Sequence, residues 1–248
     1  MVFCHGTPWS SGLWQPIARA LASHFTVYLW DMPGYGESSK NPEHRVSLDV
    51  QAELFSDLLT YWDLRRPHVV AHDYGGAVAL RSHLLHGSGV ASLALVDVVA
   101  LRPWGSDFFR LVRGHVDVFG ALPPAVHEGA LRAYISGASH AGLTSADLDA
   151  LVQPWLDVTG QAAFYQQIAE ADEVYTAQVE PLYPTIVVPV LVIWGREDEW
   201  IPVDRAHRLH RLIPEARLTV IDQAGHLIQL DQPEALTAAL TQWLMSRE

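Results

Sequence analysis

With 248 residues, 49% of them apolar, the chain has the length and the apolar content of one large domain, alone or carrying an insertion. It has 16 Lys and Arg against 28 Asp and Glu, a formal charge of −12, and no basic stripe to neutralise phosphates, which argues against nucleic acid as a partner. The single cysteine, Cys4, excludes an internal disulfide, no apolar run approaches the ~20 residues of a membrane span, and the first residues lack a basic and apolar leader pattern; a cytoplasmic location away from membranes is the expectation.

In chain order, Val2–Cys4 reads as a short strand and His5-Gly-Thr-Pro8 as a glycine turn after it. Gln15–Ser23 has a helical pattern, Val27–Trp30 reads as a strand, and Ser47–Trp62 as a helix with Ser47 and Asp49 near its start. His68–Ala71 is a strand, Ala77–His86 a helix and Leu93–Val98 a strand. From about Arg102 to Pro184 the pattern is helical and rich in aromatics, with Gly114, Gly120, Pro123, Pro124 and Gly160 as breakers. Alternation resumes with the strand Val190–Trp194, the helix Asp204–Leu212, the strand Leu218–Ile221 and the helix Pro233–Met245. Short runs of Val, Ile and Leu alternating with amphipathic stretches predict an α/β fold, a mostly parallel sheet flanked by helices on both faces. Aromatic helices set between two strands read as a cap over the active edge of the sheet, with ordinary packing helices as the alternative. The expected organisation is a core domain of residues 1–101 and 185–248 and a helical cap of residues 102–184.

The strongest local feature is His68-Val-Val-Ala-His-Asp73-Tyr-Gly-Gly76, a strand running into a tight turn and then a helix. This is the layout of a nucleophile elbow with Asp73 in the nucleophile position. A carboxylate there can attack carbon and form an ester, and the helix N-terminus favours its charge. The plainer alternative is a helix N-cap followed by two glycines. A second feature is His226, in the loop after the strand Leu218–Ile221, where an imidazole can act as acid or base. A third is Asp198, in the loop after Val190–Trp194, which could accept a hydrogen bond from His226; Glu197 and Glu199 are its neighbours and stay open. A fourth is the His5-Gly-Thr-Pro8 turn, which could bring the backbone N–H of Thr7, with that of Tyr74, to an oxyanion. His207 and His210 lie three apart on a helix without a third ligand at a supporting spacing; no metal and no organic cofactor is expected.

The segments HGTPWSSGLW (5–14), WDMPGYGESS (30–39), VVAHDYGG (69–76), LVIWGREDEWIP (191–202) and QAGHLIQLDQP (223–233), in this order, resemble the α/β-hydrolase superfamily over nearly the whole chain. His-Asp-x-Gly-Gly further resembles the branch of epoxide hydrolases and haloalkane dehalogenases, which use an aspartate nucleophile. The resemblance implies the α/β-hydrolase fold and a two-step reaction on a small apolar electrophile and water. Asp73 attacks an sp³ carbon, and His226, oriented by Asp198, then activates the water that cleaves the ester. Most members have two strands before the His-Gly loop where only Val2–Cys4 stands here, so either the sheet lacks its first strands or the true start lies upstream.

The two branches differ in how they hold the leaving group. Dehalogenases are expected to grip a halide with a Trp after the nucleophile and an Asn in the His-Gly-x-Pro loop; Tyr74 and Thr7 stand there instead, and Trp104 or Trp155 is the candidate substitute. Asp97 matches an alternative acid position of some dehalogenases. Epoxide hydrolases are expected to protonate the ring oxygen with cap tyrosines, for which Tyr165 is the first candidate and Tyr134 the second. The expected function is epoxide hydrolysis, with haloalkane dehalogenation as the alternative and a non-hydrolytic or ligand-binding role as a further one.

Overall fold

The computed structural model describes residues 1–246. Among the described residues six strands form one sheet: β1 (Val2–Cys4), β2 (Tyr28–Leu29), β3 (His68–His72), β4 (Ser92–Val96), β5 (Val190–Gly195) and β6 (Arg217–Ile221). Their order is β2-β1-β3-β4-β5-β6, and every neighbouring pair is parallel. The central strands β4 and β5 are buried at every position, which is why they read as unbroken apolar runs rather than alternating ones.

Side chains alternate across the sheet and feed two cores. Val69, Ala71, Leu93, Leu95 and Val192 join Phe55, Val78 and Leu209 on one face. Val70, Val96 and Ile193 meet Trp14, Ile17, Leu236, Leu240 and Trp243 on the other. The closing helix, Pro233–Met245, offers Leu236, Leu240, Trp243 and Leu244 as its buried stripe, and truncating one such leucine to Ala costs about 2–5 kcal/mol.

Most boundaries shift by one or two residues from the sequence expectation, and three of the shifts have a local cause or consequence. The helix after β3 begins at Tyr74, three residues before Ala77. A Cβ on Gly75 would lie 2.6 Å from the Cys4 carbonyl oxygen, and one on Gly76 would lie 2.2 Å from Val98. The glycine pair therefore lets the helix start directly against the strands. β4 ends at Val96 rather than Val98 because Asp97 takes φ 44° and breaks the ladder. β2 keeps only two residues of its apolar run in the sheet.

The register brings the working ends together. Ala71 lies opposite Cys4 and Leu95, so the loops after β1, β3 and β4 leave the same edge. Between β4 and β5 come the helices Asp107–Gly114, Val116–Gly120, Pro124–Ser136, Ser145–Val152, Val158–Ala169 and Val174–Ala177, with no strand among them. Side chains of Ser106, Thr144 and Asp157 cap three of these helices by accepting a backbone N–H. This segment is bonded to the sheet half at several points: Trp155 Nε1–H to Pro8 O (3.1 Å), Val46 N–H to Glu170 (2.7 Å) and Leu227 N–H to Ala138 O (3.0 Å). Among the described residues no helix is long and apolar enough to cross a membrane, and no cluster of three or more His, Cys, Asp or Glu is placed to hold a metal ion.

Candidate active site

Asp73 stands between β3 and the helix Tyr74–Leu85 at φ 49° and ψ −119°, a conformation that costs a non-glycine residue about 1–3 kcal/mol. Neighbouring strands hold it there: Asp73 N–H donates to Val96 O (3.3 Å), and Val99 N–H donates to Asp73 O (3.1 Å). Its carboxylate is nearly buried, and Thr7 N–H donates to Oδ2 at 2.7 Å. Gly6 is what permits this approach, because a Cβ there would lie 2.4 Å from Asp73 Cβ. His5 fixes the same loop, donating from Nδ1 to Gly6 O (2.8 Å) and accepting Met32 N–H at Nε2 (2.9 Å). Burial pushes the Asp73 carboxyl up to about 6, while the His226 charge and the N–H groups of Thr7 and Tyr74 pull it back.

His226 projects from the loop after β6 and is 1% exposed. Its Nδ1 lies 2.9 Å from Asp198 Oδ2, so Nδ1 carries the proton and Nε2 the free lone pair. Nε2 has no hydrogen-bond partner and lies 3.8 Å from Asp73 Oδ1. Burial lowers its pKa, but the Asp198 charge and hydrogen bond, with the Asp73 charge, outweigh this and hold it above the usual imidazole value. Asp198 is aimed by its own turn: Oδ1 accepts the N–H of Trp200 (2.8 Å) and of Ile201 (2.8 Å), leaving Oδ2 to the imidazole.

The loop that carries His226 is tied down on every side. His72 donates from Nε2 to the His226 carbonyl at 2.9 Å, and the two rings lie 4.7 Å apart. Asp231 accepts Gly225 N–H (2.7 Å), His140 N–H (2.9 Å) and the Ser139 hydroxyl (2.5 Å). The segment following the helix Pro124–Ser136 and the histidine loop therefore share one carboxylate.

The neighbouring acids do other things. Asp97, the alternative partner for His226, does not bond it: Oδ1 accepts Gly195 N–H at 2.9 Å, and Oδ2 is buried without a partner. Burial first, and then the charge of Asp198, push the Asp97 carboxyl well above its ordinary value, so it holds its proton. Glu197 accepts Ala224 N–H (3.1 Å), and Arg196 pairs with Asp222 rather than with Asp198.

A pocket opens on Asp73, its empty space about 390 Å³ with open solvent at the mouth included, lined by Thr7, Tyr74, Val99, Trp104, Gly105, Ser106, Phe109, Tyr134, Trp200 and Ile201. A larger groove of about 730 Å³, near Ser56, Arg65 and Gly89, lies at the opposite end of the strands, away from these groups. Two of the candidate leaving-group contacts, Tyr134 and Trp104, line the cavity. Tyr74 lines it too and adds a buried hydroxyl without a partner. Burial raises both phenols well above their usual range, so both keep a proton to donate.

Three expectations need correction. Tyr165 does not line the cavity, because its hydroxyl lies 2.9 Å from Nδ1 of the buried His127, whose Nε2 donates to Trp155 O at 2.9 Å. A buried imidazole needs both nitrogens satisfied, and Tyr165 serves that need. The Trp155 N–H is spent on Pro8 O. Trp104 presents its ring to the cavity, but its N–H donates to Thr176 Oγ1 at 2.9 Å.

Four neighbours have no role assigned from the sequence: Trp200, His72, Asp231, and Gln167, which accepts the Thr7 hydroxyl. Trp200, His72 and Asp231 lie within the segments that carry the family resemblance, whereas Gln167 lies in none of them.

A family model described as alpha/beta hydrolase fold matches residues 1–233. Among solved structures, an alpha/beta hydrolase fold protein from Burkholderia ambifaria is 42% identical with a TM-score of 0.94, over 97% of this chain and 89% of that one. An uncharacterized protein of Mycobacterium tuberculosis is 27% identical over 248 residues, 94% of this chain and 71% of its own length. A fluoroacetate dehalogenase of a Burkholderia species is 31% identical over 176 residues, 63% of this chain and 57% of that protein.

Proposed function

The chain belongs to the alpha/beta hydrolase fold family, and we propose that it is one of its hydrolases, attacking its substrate with Asp73 through a covalent ester that a His226-activated water cleaves. One observation carries this reading. The side chain at the elbow is a carboxylate whose Oδ2 sits on the Thr7 N–H while Oδ1 faces the unpartnered Nε2 of His226.

In the first step Oδ1 attacks an sp³ carbon, the bond to the leaving atom breaks, and that atom keeps the electron pair. Oδ2 stays on the Thr7 N–H and becomes the ester carbonyl oxygen. In the second step His226 Nε2 takes a proton from water, and the hydroxide adds to the Asp73 carboxyl carbon. The charge that develops on Oδ2 meets the N–H groups of Thr7 and Tyr74. On collapse the product oxygen takes the proton from His226, and the proton of the added hydroxide leaves the Asp73 carboxyl to replace the one given to the leaving atom, so the carboxylate returns. Ester formation also prepares the base. It erases the Asp73 charge, one of the influences raising the pKa of His226, so the imidazole is more readily neutral when a base is required.

For the leaving group we favour oxygen, as in an epoxide. Tyr134 and Tyr74 line the cavity and no hydrogen bond engages either hydroxyl, that of Tyr74 being buried, while the N–H groups of Trp104 and Trp155 are engaged elsewhere. Haloalkane dehalogenation is the second reading, favoured by the likeness to a fluoroacetate dehalogenase. Among the described residues Asp73 is the only charged side chain lining the cavity, so an anionic haloacid meets no cation there, and the substrate is neutral and apolar under either reading.

The test is a single turnover with enzyme in excess in oxygen-18 water, followed by mass spectrometry of the peptide containing Asp73. One heavy oxygen in Asp73 and none in the product is expected. Label found directly in the product would overturn the ester. Diol release from epoxides against halide release from haloalkanes separates the two branches.

A further inference from the structure

Trp200 follows Asp198 by two residues, and its backbone N–H is held by Asp198 Oδ1, so the turn that aims the triad acid also places the indole. The ring stacks on Tyr134 at 4.5 Å and 22°, on His226 at 5.1 Å and 29°, and on Trp9 at 5.8 Å and 15°. The His226 side chain is fully buried, so few other groups can meet its face. We propose that Trp200 is a positioning residue for His226: its π-face orients the imidazole and stabilises the cation that forms when Nε2 takes a proton. A cation over an indole face within about 6 Å is attracted by the ring quadrupole, most strongly where water is absent.

The other groups that face the imidazole are Asp198 at Nδ1, Asp73 at Nε2 and the ring of His72, with protonated Asp97 behind Asp198. Tyr134 reaches it only through Trp200. The bare alternative is that Trp200 is a cavity wall, which it also is. The two roles separate when the bulk is kept and the π-face weakened. Site-specific fluorination of the Trp200 indole lowers the His226 pKa if the face holds the cation, and leaves it unchanged if the ring is only a wall.

The kinetic side of this inference rests on the ester reading, but the titration does not. The experiment is a nitrogen-15 NMR titration of the histidines in the free enzyme, with the His226 signal identified by its loss in His226→Gln. Fluorination of the Trp200 indole is expected to lower the His226 midpoint by about half a unit to one unit. A midpoint that is unchanged or raised in the fluorinated protein overturns the proposal. The pH profile of ester hydrolysis should shift with the midpoint. A midpoint that falls in an enzyme whose Asp73 never takes up oxygen-18 would support the ring contact while rejecting the ester.

Discussion

Gly6 has no reactive group, yet the geometry makes it a test of how tightly the nucleophile is placed. A methyl group added there would lie 2.4 Å from Asp73 Cβ, 2.6 Å from Oδ2 and 2.9 Å from Cγ. Ordinary contact begins near 3.4 Å, so one side must give way by about 1 Å. The His5–Thr7 loop cannot yield freely, since His5 is bonded at both ring nitrogens and β1 lies inside the sheet. The displacement therefore falls on the Asp73 side chain and on its 2.7 Å bond from Thr7 N–H. A misplacement of that size costs about 100-fold in rate, or about 2.7 kcal/mol of barrier. Gly6→Ala should thus slow ester formation about 100-fold, read by rapid quench and intact-protein mass spectrometry, with thermal unfolding followed in parallel. Ester formation within threefold of wild type, in a variant of unchanged stability, would refute the argument that this close approach sets the nucleophile.

Other predictions follow from the same geometry. His226→Gln should form the ester and stop, so that the protein accumulates at the mass of enzyme plus substrate; repeated turnover would remove His226 from the role of base. Asp198→Asn should slow ester hydrolysis by about 10²–10⁴-fold by disturbing the tautomer and weakening the imidazolium. Asp97→Asn, which replaces a protonated acid by a neutral isostere, should stay within about threefold; the reverse order in a single-turnover assay would exchange their roles. Ester formation needs ionised Asp73, so its rate should fall as pH drops through about 6. The same raised pKa means that the folded state binds this proton more tightly than the unfolded chain. Its stabilising effect is present below the ordinary carboxylate value of 3.8 and is lost as pH rises to about 6. Asp73→Asn should therefore be inactive and more stable at pH 7 by about 1–3 kcal/mol in urea unfolding; a less stable variant would contradict the burial argument.

The sequence made the scaffold legible because parallel strands and amphipathic helices write their periods into the chain. The helices Asp204–Leu212 and Pro233–Met245 begin and end where their patterns do. The elbow was legible for a related reason, since a strand, a charged turn and two glycines admit few geometries. Asp73, Asp198 and His226 are brought together as their loop positions suggested, because parallel strands release their C-terminal loops on one edge. What a tyrosine hydroxyl meets is another matter. Phe164 and Tyr165 are adjacent on one helix and point about 100° apart, and the partner of Tyr165 is His127, far off in the chain. Asp231 was equally hidden, because it acts on backbone N–H groups, which no residue pattern reveals.

That shared carboxylate also bears on how such a protein is re-engineered. Asp231 holds the backbone beside His226 with one oxygen, and with both oxygens it holds the stretch from Ser139 to Ala141. Replacing the roof to change what fits beneath it would loosen the base in the same stroke, unless the graft brings donors of its own to Asp231. Selectivity and reactivity are inherited here as one piece.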